Sequence, residues 1–318
     1  MTWVTWRQYR YQGALAAGLL VVVAVVLLIA GFHAASVWHS VSGQCGTGAC
    51  GGKFGSNISL NGPIVGALAM ATSAVPLLPG LLWGAPMVAH ELETGTNQFA
   101  WTQGVTRRRW LAIKTGWLLL AAALIAGIAA AVVTFWSGPD HALTADAFMA
   151  NRFDLIDIVP VGYAVFAMAL GICAGAVFRR TVPALGVTLA AFVGLRALVA
   201  QWLRLHYMSP VTVFYNLQKP FNPAGSYLGV SQGIVRANHK IAPPNFNVPN
   251  FDGVAIPKAC QAAPDPTPCF AAHGYEGFLK YQPANRFWAF QGIETAIFLV
   301  VAIALLGITF WVLNRRDA

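Results

Sequence analysis

The chain has 318 residues, of which 57% are hydrophobic and 10% charged, with a formal net charge of +9. About 25% of the residues in an ordinary soluble protein are charged, so this chain has too little polar surface to cover a water-soluble globule. The high hydrophobicity excludes intrinsic disorder, and five cysteines are too few for a disulfide-dense secreted protein. We therefore predict an all-α polytopic membrane protein, in which the positive charge sets the topology and does not bind nucleic acid.

Runs without Asp, Glu, Lys or Arg locate six predicted transmembrane helices, because a membrane-crossing helix needs about 20 apolar residues. The apolar stretch of the first is longer than a signal peptide allows, so we expect it to remain in the mature chain. Residues 1–11 precede it and carry Trp3, Trp6, Arg7 and Arg10, which fit either an interfacial helix or a simple anchor. The predicted spans are 13–35, 63–89, 115–136, 156–178, 182–203 and 290–313.

The second span contains Pro76, Pro79 and Pro86, which should kink it because each proline removes a backbone donor. Such a helix either moves or lines a pathway, or it is simply tolerated among neighbouring helices. The pairs Gly80/Gly84 and Gly171/Gly175 have the small-xxx-small spacing that permits close helix packing.

The distribution of Lys and Arg between the short loops predicts the orientation, because cytoplasmic loops are richer in these residues. With six spans, both termini lie on the same side of the membrane. The short loops on the opposite side, 36–62 and 137–155, carry only Lys53 and Arg152. The side with both termini is therefore predicted to be the cytoplasm of a multi-pass protein in the cell membrane. Its ten basic residues are Arg7, Arg10, Arg107, Arg108, Arg109, Lys114, Arg179, Arg180, Arg315 and Arg316.

The cysteines and prolines describe the predicted external parts. Cys45 and Cys50 form one close pair and Cys260 and Cys269 another, so we predict two local disulfides on the oxidising side, with Cys173 free in the fourth span. Segment 204–289 holds 11 of the 18 prolines and is predicted to be a loop-rich extracytoplasmic cap between helices 5 and 6. The predicted domains are 1–203, 204–289 and 290–318.

The sequence contains no recognisable enzyme site. Residues 46–51 match the G-x-G-x-x-G pattern, but they overlap the Cys45/Cys50 pair of a predicted external loop and do not lie between a strand and a helix. Lys53 is followed by Phe54 and lacks the upstream glycine of a phosphate-binding loop. The histidines show no metal-ligand spacing. We therefore expect no catalytic residues, no metal and no cofactor in this chain.

Residues 90–114 form the longest predicted cytoplasmic loop. Two carboxylates follow the second predicted span, a Gly-Thr turn comes next, and an arginine cluster with an aromatic residue precedes the third span. This mixture of acidic, basic and aromatic groups is typical of a docking surface for a cytoplasmic partner, although the positive-inside rule alone explains the arginines. The candidate partner-binding residues are Glu91, Glu93, Gly95, Thr96, Trp101, Arg107, Arg108, Arg109, Trp110 and Lys114.

This loop, with its Glu-x-Glu-x-Gly-Thr order at 91–96, resembles that of the permease subunits of export-type, type-2 ABC transporters. Residues 101–114 are similar to actinobacterial members, as are the opening at 3–8 and the segment 282–288 with Glu294. Six spans with a long external segment before the last also match the family, so the resemblance covers most of the chain.

The resemblance implies a permease that has no ATP site of its own. A separate ABC ATP-binding subunit, which binds ATP and Mg, would dock on the 90–114 loop and the N-terminal helix. A second permease chain, identical or different, would complete the pore, and a drug, lipid or peptide would be exported or flipped. The alternatives are a non-transporting membrane scaffold and an ion-coupled secondary transporter, which should place carboxylates at the membrane midplane.

Two charges lie well inside predicted spans, Arg196 in the fifth and Glu294 in the sixth, both toward the outer ends. A lone charge in a span costs about 2–3 kcal/mol on insertion scales, so pairing would offset part of that cost. We predict an intramembrane ion pair between them. The alternative is that each side chain extends separately to the outer headgroups.

Overall fold

A computed structural model describes part of the chain. The described residues are 18, 21–22, 24–33, 35–37, 39–40, 71–94, 107–144, 147–219, 221–223, 225–236, 260 and 267–316. The predicted Cys45–Cys50 disulfide and the candidate residues Gly95, Thr96 and Trp101 lie outside them. The chain divides into two compact units: residues 1–144, 150–204 and 289–318 form the first, and residues 145–149 and 205–288 form the second.

Within the described residues, five helices are long and apolar enough to cross a membrane. The described residues of the predicted first span, 13–35, are also helical. The protein is therefore a multi-pass helical membrane protein, and the count of six stays a prediction. The five helices are Thr72–His90, Leu111–Ser137, Val159–Phe178, Thr181–His206 and Ala284–Arg315.

The second predicted span is irregular, and its prolines explain why. It begins as a 3₁₀-helix, Thr72–Leu77, continues through a π-helical turn, Gly80–Gly84, and ends in α1, Ala85–Thr94. Each proline lacks the N–H that a regular α-helix would use, so the hydrogen-bond pattern changes along the segment. We call residues 72–94 the proline-rich helix.

Three longer helices, together with the last helix of the chain, complete the described transmembrane part of the first unit. Helix α2 covers Arg107–Thr144, α4 covers Val159–Phe178, and a short helix between them, α3, covers Ala150–Phe153. Helix α5 covers Thr181–Leu198 and continues through a π-helical turn, Val199–Leu203, and a 3₁₀ turn, Arg204–His206. Helix α4 is the central element, because it is apolar on all sides and buried along most of its length.

Glycines allow the proline-rich helix to pack closely on α4. A Cβ at Gly80 would lie 2.3 Å from the carbonyl oxygen of Ala167, and one at Gly171 would lie 2.4 Å from that of Gly80. At Gly175 it would lie 2.6 Å from the carbonyl oxygen of Ala85. The two small-xxx-small pairs of the sequence therefore face each other, and the backbones approach more closely than any side chain would permit.

The described residues of the second unit include a three-stranded antiparallel sheet, in which the third strand of the chain lies between the first and the second. The strands are β1, Val211–Tyr215, β2, Leu228–Arg236, and β3, Tyr275–Gln282, and a short helix, α6, covers Thr267–Ala272. The last helix, α7, covers Phe287–Arg316 after a 3₁₀ turn, Ala284–Arg286.

The sheet corrects the prediction that segment 204–289 is only loop-rich. The strands occupy its proline-free stretches, and Pro210 and Pro283 directly flank β1 and β3. A proline cannot donate a backbone hydrogen bond within a sheet, so the high proline count of the whole segment argued against strands. The count did not show that the stretches between the prolines can form them. Cys260 and Cys269 are disulfide-bonded, as their spacing predicts, and pack with Phe270 and Tyr275. Cys173 is free and buried in α4.

We expect Gly171→Ala to destabilise the protein by about 1–3 kcal/mol, because the new methyl group would overlap the backbone of the proline-rich helix. The matched control is Gly194→Ala on α5, where a Cβ would meet no atom within 4 Å. Thermal unfolding of the purified variants in detergent measures both. Equal midpoints for the two variants would contradict the close packing.

Candidate functional site

Four charged side chains meet near one end of the first unit. They are Asp154, Arg196, Arg204 and Glu294, and we call them the charge cluster. Arg204 is 2% exposed, Glu294 0% and Asp154 6%, whereas Arg196 is 20% exposed. Two cations and two anions balance each other, which removes much of the cost of burying charge among apolar helices.

Arg204 is the centre of the charge cluster, because it binds both carboxylates. Its Nε donates to Glu294 Oε2 at 2.9 Å and its Nη2 donates to Oε1 at 2.7 Å, which makes a bidentate pair. The same Nη2 also forms an ion pair with Asp154 Oδ1. The guanidinium carbon lies 4.2 Å from the centre of the Phe153 ring.

Arg196 binds the other oxygen of Asp154. Its Nε lies 3.1 Å from Asp154 Oδ2, and its Nη1 donates to the carbonyl oxygen of Ser73 at 2.9 Å. Its guanidinium also lies over the ring of Tyr163, whose hydroxyl donates to Glu294 Oε1. Through these contacts the charge cluster ties together the proline-rich helix, the turn after α3, and helices α4, α5 and α7.

Local structure explains how these side chains come together. In a regular α-helix, Arg196 and Arg204 would point in directions about 80° apart, at 100° per residue. The π-helical turn Val199–Leu203 adds one residue between them and reduces this angle to about 20°. On α7, Gln291 lies one turn before Glu294 and holds the turn that carries Asp154. Its side-chain amide binds the carbonyl oxygen of Phe153 at 3.2 Å and the N–H of Val159 at 3.1 Å.

The charge cluster differs from the ion pair that the sequence predicts. Arg196 pairs with Asp154, Glu294 pairs with Arg204, and these two pairs are joined through Arg204 and Asp154. Sequence reasoning missed Asp154 and Arg204 because each lies just beyond an apolar run and was assigned to a loop or to the cap. A signal was present in their positions, since both lie within two residues of the predicted outer end of a span.

The predicted docking loop is shorter than the sequence indicated. Residues 90–94 complete α1 and residues 107–114 already belong to α2, so both ends of the 90–114 segment are helical. Arg109 is exposed, as a docking residue should be. Lys114 is 5% exposed, so its side chain is buried within the chain. The side chains of Glu91, Arg107, Arg108 and Trp110 lie outside the described part.

Glu93 contacts the beginning of α5. Its Oε2 accepts a hydrogen bond from the N–H of Thr181 at 3.2 Å and another from the Thr181 hydroxyl at 3.0 Å. These hydrogen bonds favour the carboxylate form and lower the pKa of Glu93, with a smaller contribution from His90 and Arg180. Because the pKa is lowered in the folded chain, this contribution to stability is present near neutral pH and is lost as the pH falls through the folded-state pKa.

One group in the described residues of the second unit has the composition of a metal site. Potential ligand atoms of Cys260, Cys269 and His273 lie within 4.8 Å of one another. The two sulfur atoms are bonded to each other, and the Nδ1 of His273 donates to the carbonyl oxygen of Cys269 at 2.8 Å. In this state the thiolates that would bind a metal are consumed by the disulfide.

We expect Arg204→Gln to destabilise the chain by roughly 3–5 kcal/mol, because it leaves two buried carboxylates without their shared cation. Arg196→Gln should have a smaller effect, since Arg196 is more exposed and binds one carboxylate. Double-mutant cycles measured by unfolding separate the pairs. The Arg204/Glu294 cycle should give a coupling above about 1 kcal/mol and the Arg196/Glu294 cycle a smaller one. The reverse order would contradict the described geometry.

Comparison with known proteins gives one family. The model of a family described as ABC-2 membrane transporter related matches residues 17–204, which include the proline-rich helix, helices α2 to α5, and Asp154, Arg196 and Arg204 of the charge cluster. No curated protein and no solved structure matches the chain significantly.

Proposed function

Because that match covers more than half of the chain, the protein belongs to the ABC-2 membrane transporter related family, and we propose that it is the permease subunit of an ATP-driven exporter. The chain forms the substrate path, and a separate ATP-binding subunit binds ATP and Mg and supplies the hydrolysis. A second permease chain completes the pore. Family membership in a multi-pass helical protein is the observation that carries this proposal.

The proposed docking site for the ATP-binding subunit is the connection between α1 and α2. It begins at the carboxylates of the last turn of α1 and ends at three consecutive arginines that start α2. Charges of both signs on a short connection between two spans suit a partner with a complementary surface. The exposed side chain of Arg109 supports this assignment.

We further propose that both termini and the α1–α2 connection face the cytoplasm. The ten basic residues of that side, against two in the other short loops, support this orientation. In this orientation the charge cluster lies toward the outer face, and the sheet of the second unit is extracytoplasmic, where a disulfide is stable.

The charge cluster also bears on the ion-coupled alternative. A carboxylate that carries a coupling ion must exchange it during each cycle. Asp154 and Glu294 are instead engaged by guanidinium groups, and Glu294 accepts from the Tyr163 hydroxyl as well. Carboxylates that are bound by guanidinium groups and a hydroxyl favour a permanent contact between helices over a site that binds and releases a cation.

The proposal is tested by purifying the tagged chain from its native membranes and reconstituting it in proteoliposomes. We expect an ATP-binding subunit to co-purify and to give vanadate-sensitive ATP hydrolysis. Arg107→Gln with Arg108→Gln should reduce its recovery roughly tenfold, equivalent to about 1.4 kcal/mol. The control is Arg315→Gln with Arg316→Gln. It removes the same charge from the C-terminal segment, which is proposed to face the cytoplasm but lies outside the α1–α2 connection, and it should leave recovery unchanged.

Two results would contradict this proposal. Substrate movement driven by an ion gradient without ATP would indicate a secondary transporter. A wild-type chain that recovers no ATP-binding subunit and moves no substrate would indicate a scaffold.

Reporter fusions test the topology. Alkaline phosphatase inserted after residue 240 should be active, and the same enzyme fused after residue 316 should be inactive, because it folds only outside the cytoplasm. A fluorescent protein fused after residue 316 should be bright. The opposite pattern of activities would overturn the proposed orientation.

A further inference from the structure

Glu93 binds the beginning of α5, a contact that its position in the sequence does not suggest. Residue 93 belongs to the motif assigned to partner docking, yet its carboxylate accepts two hydrogen bonds from Thr181 of the same chain. The first N–H groups of a helix have no partner within the helix. Arg180, which precedes α5, supplies no side-chain acceptor for them. Glu93 therefore caps α5 from a different helix, with a negative charge that favours the helix N-terminus.

The same two helices are joined again near the other end. The carbonyl oxygen of Ser73, at the start of the proline-rich helix, accepts from Arg196 near the end of α5. Between these contacts, Ala85 and Ala89 of α1 lie in one buried cluster with Ala184 of α5. The proline-rich helix and α5 are thus fastened at both ends, with small side chains between them.

Helix α5 continues from this pair into the charge cluster. Beyond Arg196 it carries Arg204, which binds Glu294 on α7 and Asp154 beside α3. Helical backbone runs without a break from Thr181 through Arg196 to Arg204, and it therefore connects the capped end of α5 to both arginines. The chain of contacts from Glu93 to Glu294 consists only of packed helices and direct hydrogen bonds.

We infer that Glu93 is a positioning residue, which caps α5 and thereby connects the α1–α2 docking segment to the charge cluster, and not a contact for the ATP-binding subunit. This inference rests on the proposed function, because the movement that α5 transmits would come from the docked subunit. It separates the two glutamates of the motif: Glu91 remains a candidate for docking, whereas Glu93, although exposed, is assigned to its contact with α5 of the same chain.

The test compares five variants of the full chain: four single substitutions and the double variant that combines Glu93→Ala with Thr181→Val. Glu93→Ala removes the cap, Thr181→Val removes the hydroxyl that it binds, and Thr181→Ser restores a hydroxyl at that position. Glu91→Ala is the matched control, with the same change two residues earlier on the same helix. Four quantities are measured for each variant: the unfolding midpoint of the purified chain alone, the affinity for the ATP-binding subunit, and the maximal ATPase rate and the KM for ATP of the assembled complex.

We expect Glu93→Ala and Thr181→Val each to lower the unfolding midpoint of the isolated chain, and the double variant to lose less than the sum of the two. Both should reduce the maximal ATPase rate of the complex while partner affinity and KM for ATP remain unchanged, and Thr181→Ser should retain the wild-type rate. Glu91→Ala should show the opposite split, with weaker affinity and an unchanged midpoint of the isolated chain.

Three results would overturn the inference. One is a loss of partner affinity in Glu93→Ala with no effect of Thr181→Val, which would place Glu93 on the docking surface. The second is additive loss in the double variant, and the third is a wild-type rate in both single variants. Failure of the proposed function is distinguishable from these, because the wild-type chain would then bind no ATP-binding subunit, whereas the midpoints of the isolated chain would still report on the cap.

Discussion

Charge that is buried in an apolar helical bundle has to be compensated inside the chain, and Arg204 does this here. Its guanidinium binds Asp154 and Glu294, while Arg196 takes the remaining oxygen of Asp154. The attraction between these groups depends on their being kept from water, and it is lost if any helix moves out of place. The relative positions of the proline-rich helix, α4, α5 and α7 are therefore linked to one another through this cluster.

The close packing on α4 allows that arrangement. Without the hydrophobic effect to drive helices together in a bilayer, association depends on tight contact and hydrogen bonds. Gly80 and Gly171 permit contact between backbones, and Ser73 then lies close enough for its carbonyl oxygen to receive a hydrogen bond from Arg196. The proline-rich helix is irregular in its hydrogen bonding, yet it is fixed by its neighbours at both ends.

This arrangement suits a transporter whose energy comes from outside the membrane. In the function that we propose, the ATP-binding subunit acts on the α1–α2 connection, and the response has to reach the opposite side of the bilayer. A two-helix element with contacts at both ends transmits a tilt or a shift as a unit. The charge cluster lies at the far end of this element, where Arg204 joins α5 to Glu294 of α7.

Sequence reasoning identified what depends on composition and local spacing. Apolar runs of membrane-spanning length, the excess of basic residues in alternate short loops, the close pair Cys260 and Cys269, and the small-xxx-small spacing of the glycine pairs are all visible without a structure, because each rests on neighbouring residues. The same reasoning found the motif at 90–114. It missed the sheet of the second unit, because prolines between and beside the strands dominated the count for the whole segment.

Only the tertiary structure decided which charges are partners. Asp154, Arg204 and Glu294 are distant in sequence. Arg204 reaches the two carboxylates because the π-helical turn changes the direction of its side chain. The hydrogen bonds of Gln291 hold the turn that carries Asp154. Glu93 likewise has the sequence context of a docking residue and the contacts of a helix cap. By itself the sequence determined that this is a multi-pass helical membrane protein, because that follows from local hydrophobicity. The pairing of long polar side chains required the packed helices, since a shift of one residue within a helix rotates a side chain by about 100°.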